Sequence, residues 1–148
     1  MADINQWIVG FFDVERPRLW ISPLLKPGFR HAIAFGYDTD KQLWLVVDWG
    51  KHGLKSRILS NEEVDQLIAF VERHKGCFLL VRAQKARFRF PMMPCWCVTA
   101  IRHLLGIRTP LLTPWQLYCA LRRRGGAPIF ERPCVDPLKP KPPPSIKA

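Results

Sequence analysis

Apolar residues fall into short β-branched and aromatic runs in the first half of the chain and into helical spacing in two later stretches. Phe29 to Tyr37 and Leu43 to Trp49 read as strands, and the polar run Asp38-Thr39-Asp40-Lys41 between them reads as a turn, so the pair is expected to form a β-hairpin. With those four residues as the loop, Tyr37 faces Gln42 and His31 lies directly opposite Asp48. A second turn at Trp49 to Gly53 leads into a short strand, Leu54 to Leu59. Ser60-Asn61-Glu62-Glu63 carries the capping-box pattern and opens a helix to about His74, with Val64, Leu67, Ile68 and Val71 as its apolar stripe. Gly76 ends it, and Cys77 to Val81 reads as a third strong strand.

Further along, Pro91 and Pro94 keep the chain extended, because a residue before proline avoids helix. Val98, Ile101, Leu104 and Leu105 then share one face of a helix that starts at Cys97 and stops at Gly106. Thr113-Pro114 predicts the start of a last helix, which runs to about Arg124 before Gly125-Gly126. The first 28 residues read as an irregular arm. Ile4, Trp7, Ile8, Phe11 and Phe12 have helix-like spacing there, yet their residue types suit a strand equally. The expectation is one α+β domain over residues 1–132, a small antiparallel sheet packed against a cysteine-bearing helix. Six of the sixteen residues from Pro133 to Ala148 are proline, so residues 133–148 are expected to be an extended Pro/Lys-rich tail that buries no core.

Composition narrows the class. At 148 residues, with 48% of them apolar, the chain suits one globular domain. No apolar run approaches the roughly 20 residues of a membrane span, and the N-terminus lacks the pattern of a signal peptide. A cytoplasmic or virion-associated protein is expected. Lysine and arginine number 23 against 12 acidic residues, a formal charge of +11. That excess predicts attraction to nucleic acid or another polyanion, through Arg82 to Arg89, Arg122 to Arg124 and Lys139 to Lys147. The odd count of five cysteines argues for reduced thiols. Cys95, Cys97, His103 and Cys119 lack the spacing of a zinc site, and neither a metal nor a cofactor is expected.

The candidate chemistry lies in Cys97. A cysteine that opens a helix sits among free backbone N–H groups at the positive end of the helix dipole, which favours the thiolate. A cysteine hydrolase also needs a histidine to take and return the proton and a third group to fix the imidazole. The hairpin supplies His31 and Asp48. Cys95 is the rival nucleophile and His52 a substitute for Asp48. A cysteine is also a common core residue, so Cys97 has a purely structural reading as well.

The order His31-Ala32-Ile33-Ala34-Phe35-Gly36, then Asp48, then Cys97-Val98-Thr99-Ala100-Ile101-Arg102 resembles a circularly permuted papain-like fold of the NlpC/P60-type peptidase and amidase superfamily. The stretch from Cys97 to Leu105-Gly106-Ile107 also resembles small phage and prophage proteins of that kind. The resemblance covers roughly residues 29 to 107. It implies Cys97 as nucleophile, His31 as base, Asp48 as orienting group, and a peptide or peptidoglycan-like substrate. Cys97 is not preceded by the asparagine of the related acyltransferase-like branch, which makes hydrolysis the expected reaction. The alternative is a non-catalytic basic protein on the same fold, binding nucleic acid or a protein partner, in a virion for example.

Overall fold

The computed structural model of the chain describes residues 4–14, 25–50, 53–84 and 96–130. Nine elements follow in order: β1 (Gln6–Phe12), β2 (His31–Asp38), β3 (Leu43–Gly50), β4 (Gly53–Leu59), α1 (Asn61–Arg73), β5 (Cys77–Arg82), α2 (Cys97–Leu104), α3 (Pro114–Arg123) and β6 (Ala127–Pro128). The strands make one sheet in the order β4-β3-β2-β1-β5-β6, and every neighbouring pair is antiparallel. The fold is therefore α+β.

The expectation of an irregular start is corrected here. Residues 6–12 form a strand at the centre of the sheet, hydrogen-bonded to β2 on one side and β5 on the other. Central position explains why the pattern was ambiguous. Val9 and Phe11 bury into one face and Phe12 into the other, so the strand shows no polar alternation. Two glycines let bulky rings approach it. A Cβ on Gly10 would stand 2.9 Å from the Phe78 ring, and one on Gly36, directly opposite Trp7, would stand 2.8 Å from the Trp7 ring. A bare backbone at these points leaves room for each ring.

The β2–β3 hairpin forms in a register shifted from the expected one. Asp38, not Tyr37, is the last paired residue of β2 and faces Leu43, so that Ile33 faces Asp48. The reason is local. The Asp38 carboxylate accepts the N–H groups of Asp40 and Lys41, both at 3.1 Å, which makes it the strand-end clasp of the turn. Gln42 takes the left-handed conformation that closes the turn, with φ at 53°. The loop thus remains four residues long but starts one residue later.

Two apolar layers cover the sheet. On one side α1 packs Val64 and Val71 against Phe12, Ile33, Phe35, Val46 and Phe78. On the other, α2 and α3 bring Val98, Ile101, Leu117, Tyr118 and Leu121 against Val9, Phe11, Ala32, Ala34 and Leu79. The capping box of α1 is complete, since Ser60 Oγ accepts from the Glu63 N–H and the Glu63 carboxylate accepts from the Ser60 N–H at 2.8 Å. Thr113 and Gln116 cap α3 in the same way. α1 also carries the chain from β4, at one edge, over to β5 beyond β1, so it acts as the crossover that spreads the sheet. Trp20, Leu24, most of the basic stretch from residue 82 to 90 and the Pro/Lys tail lie outside the described residues.

Candidate active site at the end of the sheet

The strand ends decide which side chains meet. His31 opens β2, Asp48 stands near the end of β3, and Cys97 is the first residue of α2. The last β2–β3 rung joins Ile33 to Asp48, so His31 lies two residues beyond it. His31 and Asp48 are diagonal neighbours rather than a direct pair. They still share a face, because the register differs from the expected one by two positions and side chains repeat every two. The imidazole spans the diagonal: Nε2 lies 2.7 Å from Asp48 Oδ1. Phe12, directly opposite His31, packs edge-on against the ring with centroids 5.2 Å apart.

Alternation puts His31 and Asp48 on the α1 side of the sheet, with Ile33 and Val46, whereas α2 covers the other side. The contact with Cys97 is therefore made at the rim, past the last rung. There the Cys97 thiol lies close enough to the imidazole to help raise its pKa. Because Nε2 is engaged by Asp48, Nδ1 is the nitrogen left for the sulfur.

The electrostatics follow from this sandwich. Burial, the largest single influence, pulls the His31 pKa down. The hydrogen bonds to Asp48 and then to Cys97, with their negative charges, outweigh it together and push the value up to about 9. At neutral pH the ring is thus an imidazolium. The side chains of His31 and Asp48 are 15% and 25% exposed, so the pair is shielded on most sides yet open to solvent on one.

The start of α2 is built around a reversed cap. Trp96, at the N-cap, offers no side-chain acceptor, so only one half of a capping box can form. Thr99 supplies it: its hydroxyl accepts from the Trp96 N–H at 3.0 Å and donates to the Trp96 carbonyl at 2.9 Å. The first helical hydrogen bond runs from the Ala100 N–H to the same carbonyl. Among the described residues, the N–H groups of Cys97 and Val98 are therefore left without a side-chain acceptor, at the positive end of the helix. Cys97 itself is 8% exposed.

All three residues expected from the sequence meet in this one place. Cys95 and His52 lie outside the described residues. His103 is exposed on α2 and belongs to no part of the site. Among the described residues, no group of three or more His, Cys, Asp or Glu side chains could hold a metal ion. Two participants escaped the sequence reading. Thr99 shapes the helix start, and its signal was the hydroxyl three residues after Trp96. Phe12 flanks the ring, and only the strand pairing could reveal it. No helix among the described residues is long and apolar enough to cross a membrane. No protein family, curated protein or solved structure matches the chain.

Proposed function

We propose that the chain is a cysteine hydrolase that cleaves an amide bond, in a peptide or a peptidoglycan-like substrate, on a permuted papain-like fold. The observation that carries the reading is the line Cys97–His31–Asp48, with one imidazole hydrogen-bonded to a carboxylate and close enough to a thiol at a helix start for that thiol to raise its pKa. Asp48 holds the ring and balances its charge, and the imidazolium is the partner a nucleophilic thiolate pairs with. The sulfur attacks the substrate carbonyl carbon. The oxygen that gains charge is met by the N–H groups at the start of α2. His31 then gives its proton to the leaving amine, and water, deprotonated by the same ring, attacks the thioester, releases the acid and restores the thiolate beside the imidazolium.

The test is competitive alkylation with iodoacetamide at neutral pH, read by mass spectrometry at each cysteine. Cys97 labels first, well ahead of Cys119, whose thiol is pushed up by burial. His31→Asn slows labelling at Cys97 about tenfold or more while leaving Cys119 unchanged. Uniformly slow labelling of all cysteines would sink the assignment. Hydrolysis of a peptide-amide library, abolished by Cys97→Ala, then identifies the bond.

A further inference from the structure

The far end of the sheet lies away from Cys97. A cleft of about 290 Å³ opens where the end of β5 meets the loops that follow α2 and α3. Gln6, at the start of β1, contributes to its wall, whereas Phe12, at the other end of β1, flanks His31. The length of β1, about 20 Å, therefore separates the two places.

We propose that this cleft binds a ligand that ends in a carboxylate on a short aliphatic body. Five apolar residues, Leu80, Val81, Leu105, Ile107 and Leu121, line it. Arg82 and Arg124 also line it, and no acidic residue among the described residues does. Both arginines are exposed and neither has an ion-pair partner among the described residues. A planar guanidinium matches a carboxylate with two parallel N–H donors, which makes a pair of them a receptor for that group. The volume lies at the lower limit of small-molecule sites, which suits one branched aliphatic group and its acid head.

Backbone geometry keeps the cleft open. Gly125 adopts φ of 88°, turning the chain sharply after α3. At Gly126 a Cβ would stand 2.8 Å from the Leu121 carbonyl oxygen and 3.2 Å from Val81 Cγ1. The Gly126 N–H donates to Leu121, and the Gln84 N–H donates to Leu105 at 3.2 Å, so two walls are tied to the helices. The aliphatic acid has two possible sources, a free small acid or the C-terminal end of a peptide, and the chemistry of the head is the same.

The experiment is an amide NMR titration of the full chain with N-acetyl-leucine, 4-methylpentanoate and the neutral N-acetyl-leucinamide. Both acids are expected to bind with dissociation constants near the millimolar range and to move the signals of Gln84, Gly125 and Gly126. Binding of N-acetyl-leucine alone would assign the cleft to a peptide end, and equal binding of 4-methylpentanoate to a free acid. Arg82→Gln and Arg124→Gln, both at exposed positions, should each weaken binding about tenfold. The proposal is overturned if neither acid shifts these signals at about 10 mM. It is equally overturned if the neutral amide binds as well as the acid, or if both arginine variants bind unchanged. Alkylation of Cys97 plays no part in this readout, so either site can fail without the other.

Discussion

Replacing Asp48 by Asn tests the electrostatic core of the site directly. The substitution keeps the size of the side chain and removes its charge. In the native protein, burial lowers the His31 pKa and the bonds to Asp48 and Cys97 raise it to about 9, above an ordinary 6.5. A raised value stabilises the fold wherever the native state holds the proton more tightly than the unfolded chain does. The contribution is complete below about pH 6.5, declines as pH rises, and is gone above about 9. Two and a half pH units at about 1.36 kcal/mol each come to about 3 kcal/mol. Against a typical total of about 5–15 kcal/mol, that is a slope denaturation can resolve. Urea unfolding at a series of pH values from 6 to 10, referenced to His31→Asn, isolates it from the other titrating groups. In Asp48→Asn the largest raising influence is lost and burial remains. The slope should flatten, and the His31 ring, followed by NMR, should titrate more than about one pH unit lower. A ring that still titrates near 9 without the carboxylate, or near 6.5 with it, refutes the reasoning.

The scaffold makes its own predictions. Ser60→Ala removes the acceptor for the Glu63 N–H at the start of α1 and should cost about 1 kcal/mol in urea unfolding. Gly10→Ala forces a methyl group against the Phe78 ring in the central strand and should destabilise by about 1–3 kcal/mol; an unchanged midpoint would mean that the ring moves away freely. Thr99→Val preserves shape but deletes both hydrogen bonds to Trp96, so alkylation at Cys97 should slow several-fold with about 1 kcal/mol of lost stability. An unaltered labelling rate there would show that the cap does not set the thiol's position.

Local chemistry was legible in the sequence, and pairing over distance was only partly so. Ser60 with Glu63, three residues apart, and Thr113 with the adjacent Pro114 announce their helices because a helix start is written within a few neighbouring residues. The edge strand β4 and strand β5 follow from turn residues and β-branched runs. Strand β1 was ambiguous for a physical reason: a strand covered on both faces has no polar side to reveal its period. The cleft could not be anticipated at all. Arg82 and Arg124 lie forty-two residues apart and line one cleft only because β5 ends beside the turn after α3.

The hairpin shows which part of a sequence reading must be right for a site to be found. The expected register was displaced because the Asp38 carboxylate clasps the turn from within the strand. The displacement moved His31 from a direct pairing with Asp48 to a diagonal one, where Cβ atoms stand about 7–8 Å apart instead of about 5 Å. An imidazole is long enough to close that gap, and the 2.7 Å bond results. A displacement by one position would instead have sent Asp48 to the opposite face, beyond the reach of any rotamer of His31. Parity is therefore the quantity that matters, since a shift by two positions keeps His31 and Asp48 on one face. The same diagonal places His31 past the last rung of the ladder, at the rim where a helix packed on the other face can present its first residue. The direct pairing would have extended the β2–β3 ladder through His31. The shifted register leaves it at the open end, where the imidazole can serve a carboxylate on one face and a thiol arriving from the other.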